Sequence, residues 1–589
     1  MRIESSKSVH PKGTLPPRGA WQSCLFMAIT IVTFAGLVSC ASTNKQTKST
    51  ALIAPQQSTG ESSLDKEDLY DYLVADISTQ RQQHNVAAAN YLALARRNAD
   101  TSLAELAARS AMQAGDSKQA LEALELWLDI KPNDERALAS VTRLYLSEQR
   151  VDDAYARLEQ IRVSRAEEEG KGFLYVARLL AAARQRDAAA GLMDRLTAEH
   201  SDDIDAAYAT SYLALQFGQY ERANRELEPV LQQRGEQQQV ILQKTLILRR
   251  MQKNDEAAEF LAAAVARQAN NFDLRSAYAG LLVDAGRYEE ALDQYQRLSE
   301  LAPDNDEVTF ARGLLSLQLQ QIDAAEMQFK ALSQRGSSNP GVPYNLARIA
   351  EVREDIDSAL RFYSQVTGGQ NYTEAQLRIA VLTAIQGDIP TARAQLGVLR
   401  TNIPAMAVQA SLTEGGLLQD ANLFDEAIAV YTEALTTKPG NTQLLYARSL
   451  AYAQTDRFEL FEQDVQVILA RDANNTDALN ALGYYLADST TRYDEAEKYI
   501  KRALELKGES HFILDSYGWL QFRLGRYDEA LSYIRRALDI QSDTEISAHL
   551  GEILWVKGER EEARRVLRKA SKEDPENKVL QEVIQRLGL

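Results

Sequence analysis

Apolar residues recur along most of this chain with the period of an α-helix. From position 64 onward, Leu64, Leu69, Leu73, Val74 and Ile77 follow one another at intervals close to 3.6 residues, with polar residues between them. Similar segments continue to the C-terminus and are separated by short polar breaks. The pattern therefore predicts a chain that is helical throughout.

A small residue recurs within this pattern at a nearly constant spacing. The clearest part is Gly483 to Ala570, where Ala496, Ala530 and Ala563 lie 34 and then 33 residues apart. Across the chain, fifteen such positions are spaced by 33 to 35 residues: Ala87, Ala120, Ala154, Ala189, Ala223, Ala257, Ala291, Ala325, Ala359, Ala392, Ala427, Phe461, Ala496, Ala530 and Ala563. Small side chains allow two crossing helices to approach closely. We therefore expect a helix crossing at each position.

A period of about 34 residues with small residues around a short turn resembles the tetratricopeptide repeat. Glycines, which adopt positive φ at helix ends, stand in many of the turns: Gly115, Gly218, Gly286, Gly387, Gly525 and Gly558. The predicted fold is an all-α solenoid over 64–575, a right-handed superhelix of about fifteen helix-turn-helix repeats. A capping helix is predicted over 576–589.

The N-terminus is typical of a lipoprotein signal peptide, predicted over 1–39. A basic leader precedes an uncharged apolar run over 25–38, which is too short to cross a bilayer. The run ends in Leu-Val-Ser before Cys40 and so resembles a bacterial lipobox, where the thiol receives a lipid. An ordinary secretory signal or a short anchor is the alternative. The lipidated Cys40 and a polar, flexible tether are expected over 40–63.

Charge and cysteine content narrow the possible partners. The chain has 66 basic and 83 acidic residues, a net charge of −17. A protein with this net negative charge is not expected to bind nucleic acid, whose phosphates are also negative. Cys40 would be the last cysteine after removal of the leader, so neither a disulfide nor a cysteine metal site is expected. Ala41 follows Cys40, and the lack of aspartate there favours the outer membrane over the inner membrane.

No catalytic constellation is evident, so we expect no enzyme activity, no metal, no cofactor and no small-molecule substrate. Two Ser-x-x-Lys matches, at 42–45 and 63–66, fall in or beside the tether, where no preorganised pocket is expected. The five histidines have no metal-ligand spacing.

The inner face of the first helix of each repeat is the predicted binding surface. In the last repeats this face offers aromatic and charged residues, which are typical of binding hot spots. The candidate protein-binding residues are Asn480, Tyr484, Asp515, Trp519, Phe522, Arg523, His549 and Glu552. Packing between helices is the alternative for Phe522 and is favoured for Trp555. For Trp519 the two interpretations stay open.

Five stretches carry a more specific resemblance. They are Leu69–Arg81, Ala478–Asp488, Thr490–Ala496, Ile513–Trp519 and Ala548–Trp555. They are similar to the LbcA-type outer-membrane tetratricopeptide lipoproteins of gamma-proteobacteria, which are adaptors of a carboxyl-terminal processing protease.

This resemblance implies a protein held at the outer membrane by the lipid on Cys40 and facing the periplasm. It would bind the processing protease together with its substrates, the peptidoglycan hydrolases, and so promote their proteolysis. Other functions remain open: an assembly factor or pilotin-like chaperone for a secretion or pilus machine, and a scaffold for polysaccharide export. Partner identification distinguishes between them.

Overall fold

The computed structural model describes residues 66–165 and 171–589. Within these ranges the chain forms 31 α-helices and one 3-10 helix, Pro404–Met406, and contains no strand. The all-α prediction is therefore confirmed. The predicted signal peptide, the tether and Cys40 lie outside the described residues. None of the helices in the described ranges is both long and apolar enough to cross a bilayer.

Odd-numbered helices are the first member of each pair and even-numbered helices are the second. The first eight pairs are α1 (Lys66–Gln80) and α2 (His84–Asn98), α3 (Thr101–Ala114) and α4 (Ser117–Ile130), α5 (Glu135–Ser147) and α6 (Val151–Ser164), α7 (Lys171–Ala181) and α8 (Arg186–Ala198), α9 (Ile204–Gln216) and α10 (Tyr220–Arg234), α11 (Gln238–Arg250) and α12 (Asn254–Arg267), α13 (Phe272–Asp284) and α14 (Tyr288–Leu301), and α15 (Asp306–Gln318) and α16 (Ile322–Gln334).

Seven further pairs and a single helix complete the described chain. They are α17 (Gly341–Val352) and α18 (Ile356–Tyr363), α19 (Tyr372–Ile385) and α20 (Ile389–Asn402), α21 (Ala407–Asp420) and α22 (Phe424–Thr437), α23 (Thr442–Ala453) and α24 (Phe458–Arg471), α25 (Thr476–Ser489) and α26 (Tyr493–Leu506), α27 (His511–Arg523) and α28 (Tyr527–Ile540), α29 (Thr544–Lys557) and α30 (Arg560–Glu573), and finally α31 (Lys578–Leu587).

The turn inside most pairs uses a residue with positive φ. All six glycines predicted for these turns have φ between 72° and 101°. Seven other turns place a longer side chain in the same conformation, with φ between 57° and 62°: Gln82, Gln149, Gln252, Gln320, Glu354, Asn422 and Asp456. These turns therefore keep the same backbone conformation whether or not the residue is glycine, although residues with a side chain rarely adopt positive φ.

The fifteen spaced positions form the helix crossings. Each of them, Phe461 included, has no solvent-exposed surface. The two helices approach closely at Ala496, because a Cβ added at Gly483 of the first helix would lie 3.1 Å from the Ala496 main-chain oxygen. The single large residue, Phe461, packs against Tyr485 with ring centroids 5.0 Å apart.

Proline and a capping residue mark several junctions between pairs. Four second helices end just before a proline, and an Asp or Asn two residues later caps the next first helix. The side chains of Asp134, Asn305, Asn441 and Asn577 accept hydrogen bonds from backbone N–H groups of those helices. These caps satisfy donors that a helix N-terminus leaves unpaired.

The described chain divides into two compact units, with the boundary inside α16 after Ala325. The N-terminal unit contains a core of alanine and leucine side chains that runs from Ala75 to Leu213 and continues in smaller clusters. In the C-terminal unit, the largest core extends from Leu412 to Leu520. Leu580 and Val583 of α31 pack beyond it, against buried residues of α29 and α30.

Candidate protein-binding site

The predicted binding residues lie on the first helices of the last three pairs. Helices α25, α27 and α29 lie side by side, and α31 packs against α29. Long stretches of these helices are buried on all sides: Ala478–Ala487, Ile513–Gln521 and Ala548–Leu554. Polar side chains in such stretches need partners inside the protein.

An aspartate–histidine pair occupies the centre of this region. Asp515 Oδ1 lies 2.8 Å from His549 Nδ1, so α27 and α29 are joined by a buried hydrogen bond. The Trp519 ring stacks on His549 with ring centroids 4.3 Å apart. The ring of Tyr484, on α25, lies 6.4 Å from the imidazole between ring centroids. Three successive repeats therefore meet at His549.

Asp488 joins α25 to α27. Its carboxylate Oδ1 accepts a hydrogen bond of 3.0 Å from Trp519 Nε1. Arg523 donates to the Asp488 main-chain oxygen, and its Nη1 lies 3.4 Å from Oδ1. The same guanidinium reaches the Tyr493 hydroxyl at 3.4 Å. The indole and the guanidinium are therefore held by one acidic residue at the end of α25.

The cluster continues toward the C-terminus through Glu552, which forms an ion pair with Arg586 of α31. Phe522 lies beside Trp519, with ring centroids 4.9 Å apart, and is partly buried. Asn480 is buried, and its Oδ1 has no hydrogen-bond partner among the described residues. Its carbonyl oxygen therefore takes no part in the hydrogen bonds that join the other members of the cluster.

Burial and neighbouring carboxylates act in opposite directions on His549. Burial lowers the pKa of His549, but Asp515, Glu552 and Glu545 outweigh it and raise the pKa to about 9. Burial, reinforced by Asp543, raises the pKa of Glu545 to about 8. Burial also raises the pKa of Glu552, against the opposing charge of Arg586. Near neutral pH His549 is therefore cationic and faces the Asp515 carboxylate.

This arrangement joins neighbouring repeats through hydrogen bonds and aromatic contacts. His549 pairs with Asp515, and Trp519 donates its only side-chain N–H to Asp488. No group of three His, Cys, Asp or Glu side chains in the described ranges is arranged to hold a metal ion.

The contacts of Trp519 are those of a residue packed between helices. The side chain is 6% exposed and belongs to the core of the C-terminal unit. Phe522 and Trp555 are both partly buried against hydrophobic cores, as the packing alternative proposed. Arg560 and Arg564 cover the Trp555 ring at 5.2 and 5.3 Å. A direct contact between these residues and a partner stays a prediction.

Sequence reasoning missed three members of this cluster: Asp488, Glu545 and Arg586. A signal for Asp488 was present, because it follows Asn480 and Tyr484 at intervals of four residues and so shares their helix face. Glu545 precedes His549 by the same interval. No such signal marked Arg586, which reaches Glu552 from the separate helix α31.

Comparisons with known proteins identify the family. Two family models, both described as tetratricopeptide repeat, match this chain, one at 248–312 and 521–587 and the other at 412–476 and 486–545. The chain is also 31% identical over 493 residues to the TPR repeat-containing protein PA4667 of Pseudomonas aeruginosa, over 83% of each chain. The chain belongs to the tetratricopeptide repeat family. Tetratricopeptide repeat proteins are generally non-catalytic scaffolds that bind other proteins.

Solved structures are also similar to this chain. The APC/C hetero-tetramer Cut9–Hcn1 matches with a TM-score of 0.34 and 14% identity, over 89% of this chain and 96% of that chain. Pseudomonas aeruginosa pilF matches with a TM-score of 0.28 and 23% identity, over 35% of this chain and 94% of that chain.

Proposed function

We propose that this tetratricopeptide repeat scaffold is an adaptor anchored to the outer membrane through Cys40. It binds a carboxyl-terminal processing protease and the protease's substrates, the peptidoglycan hydrolases, and promotes their degradation. The observation that carries the proposal is the resemblance of the last repeats to the LbcA-type lipoproteins.

Several residues of the buried cluster lie in the stretches that carry the resemblance. Asp488 ends Ala478–Asp488, Asp515 and Trp519 belong to Ile513–Trp519, and His549 and Glu552 belong to Ala548–Trp555. In the structure they bond to one another across three repeats. The resemblance thus falls on residues that set the geometry of neighbouring first helices, which form the surface where an adaptor of this family would hold a partner.

The proposed mechanism is proximity, since the chemistry belongs to the protease. A scaffold that holds enzyme and substrate together converts their encounter into an intramolecular event, with an effective concentration that reaches roughly millimolar. The adaptor would therefore lower the substrate concentration needed for cleavage without changing the catalytic step.

A reconstituted reaction tests this proposal. The full chain, the processing protease of the same organism and a peptidoglycan hydrolase are mixed, and hydrolase cleavage is followed with and without the chain. Faster cleavage with the chain, together with co-purification of chain and protease, supports the adaptor role. Unchanged cleavage contradicts it, and co-purification with a secretin or pilus subunit instead would favour the assembly-factor function.

Two variants ask whether the last repeats contribute to this activity. The double variant Phe522→Ala and Arg523→Ala removes the two partly exposed candidates. The control Arg502→Ala removes an exposed arginine of α26 that pairs with Glu505 at 2.9 Å. Acceleration of cleavage should fall in the double variant alone, after circular dichroism has shown equal helix content. Equal acceleration by both variants would place partner binding elsewhere on the scaffold.

A further inference from the structure

Helix α30 is basic in an acidic protein. Between Arg560 and Glu573 it has six basic and three acidic residues, whereas the whole chain has a net charge of −17. Its apolar residues Ala563, Leu567 and Ala570 are buried in the fold. The charged side of the helix therefore faces outward.

Five of the cations lie on one face of α30. They are Arg564, Arg565, Arg568, Lys569 and Lys572, spaced by one, three, one and three residues. At 100° per residue these positions fall within a continuous stripe about two turns long. Four of them are exposed, and Arg564 is partly buried. We call this stripe the α30 basic face.

Most of the positive charge on the α30 basic face is not neutralised by the described residues. Arg564 pairs with Glu561 at 2.6 Å and Lys569 with Glu573 at 3.7 Å, both within the same helix. Arg565, Arg568 and Lys572 have no ion pair or hydrogen bond to a carboxylate in the described part of the chain. Three exposed cations are thus available to another molecule.

The fold itself shows which group fits one of these positions. Arg535 lies five residues after Ala530 and pairs at 3.2 Å with Glu562, which directly precedes Ala563 on the next second helix. An ion pair with the charges exchanged joins the equivalent positions of an earlier repeat. Asp194 lies five residues after Ala189 and pairs with Arg222, which directly precedes Ala223. Arg568 lies five residues after Ala563 and occupies the position of Arg535. A carboxylate on a helix packed beside α30 would complete the pattern.

We propose that the α30 basic face binds an acidic helical segment of a partner protein. Two of the three available cations are arginines, whose planar guanidinium groups bind carboxylates in a bidentate manner. A lipid surface fits less well, because the apolar side of α30 is already buried and cannot insert among acyl chains. The inference goes beyond the adaptor role, since it concerns a separate surface and does not require the protease.

A binding assay with the full chain tests the inference. The probe is a fluorescent Ala-rich peptide of about 20 residues, above the length at which isolated helices are marginal in water, with glutamates at i and i+4. A matched peptide has glutamine at the same positions, and phosphatidylglycerol vesicles represent a lipid surface. The glutamate peptide should bind with an affinity that falls as salt rises, while the glutamine peptide and the vesicles should not bind.

Matched variants locate the binding. The test variant is Arg565→Gln, Arg568→Gln and Lys572→Gln, and the control is Lys498→Gln, Lys501→Gln and Arg502→Gln, three exposed cations of α26. The test variant should weaken peptide binding by about tenfold, as expected for loss of three exposed pairs, while the control should not. Equal binding by both variants, binding to vesicles alone, or no binding to either probe would overturn the inference.

Discussion

At the residue scale, the contacts of Asp515 and His549 follow from a shift of one position. Asp515 stands three residues before Gly518, whereas His549 stands two residues before Gly551. One residue rotates a side chain by 100° about its helix axis. We infer that this shift directs the His549 side chain toward α27. There it forms a hydrogen bond with Asp515 and stacks on Trp519.

The pH dependence of local stability should report the His549 pair. Its pKa in the folded protein is about 9 against an ordinary 6.5, because Asp515, Glu552 and Glu545 outweigh the effect of burial. A raised pKa stabilises the fold fully below pH 6.5, and this stabilisation is lost as the pH rises through 9. Glu545, raised to about 8, acts in the same direction because its ionised form is disfavoured in the fold.

Hydrogen exchange of α25, α27 and α29 at pH 6.5 and pH 9 measures this effect, after correction for intrinsic exchange. In the wild type, protection should fall at the higher pH by on the order of 1–3 kcal/mol. His549→Gln should be less protected at the lower pH and should show a smaller fall. An unchanged pH dependence in His549→Gln would contradict the assignment.

A buried glutamate on α21 offers a second test at this scale. Glu414 accepts from Arg393 Nε at 2.9 Å and from Arg400 Nη1 at 2.5 Å, and its side chain is 4% exposed. Glu414→Ala leaves Arg400, which is 28% exposed, without this carboxylate, and should cost about 1–3 kcal/mol. Glu426 pairs with the same Arg393 but is 46% exposed. Glu426→Ala should therefore cost at most about 1 kcal/mol.

Urea unfolding of both glutamate variants, followed by circular dichroism, measures the difference. A similar loss of stability in Glu414→Ala and Glu426→Ala would show that burial of the pair is not the source of the stabilisation.

At the element scale, two adjacent glycines have opposite environments. Gly415 and Gly416 both lie inside α21, so this pair is part of a helix and not a break between helices. A Cβ added at Gly415 would come within 2.2 Å of the Tyr431 ring. The ring cannot easily move, because it is fully buried and its hydroxyl accepts a hydrogen bond from Gln419 Nε2 at 2.8 Å. A Cβ at Gly416 meets nothing within 4 Å.

The two alanine variants should therefore change stability in opposite directions. Gly415→Ala should lower the free energy of unfolding by about 1–3 kcal/mol through overpacking. Gly416→Ala should raise it by about 0.5–1 kcal/mol, because alanine favours the helix and no contact is disturbed. Urea midpoints of the two variants check the prediction. Stabilisation by Gly415→Ala would show that α21 and α22 can separate without cost.

At the scale of the whole molecule, each repeat packs mainly against its neighbours along the chain. A local defect should therefore stay local. In Glu414→Ala, faster hydrogen exchange is expected in α19 to α24 and not in α3 to α6, which belong to the other compact unit. Uniform acceleration across both units would indicate cooperative unfolding of the whole chain.

The proposed attachment to the membrane depends on Cys40. The lipobox resemblance predicts that Cys40→Ala removes the lipid attachment site and moves the protein from the membrane fraction to the soluble fraction. Cys24→Ala is the matched control, because it changes the other cysteine within the predicted leader. Cell fractionation followed by immunoblotting measures both. Membrane retention of Cys40→Ala would refute the lipid anchor.

The sequence alone determined the helical fold and the phase of its repeats. A crossing between two helices requires a small side chain locally, so positions such as Ala496 and Ala530 reveal the 34-residue period without any knowledge of distant contacts. The turn glycines could be read in the same way, since each acts on its own stretch of backbone.

Only the tertiary structure decided which side chains the candidate residues contact. Trp519, Asp488 and His549 come from three repeats, and their contacts depend on how each helix is rotated against the next. The periodicity of the sequence indicates the position of each residue within its repeat. It does not indicate which side chain of a neighbouring helix that residue contacts. The burial of Trp519 depends on side chains that separate helices bring together. The exposure of the unpaired cations on the α30 basic face likewise depends on how α30 packs against its neighbours.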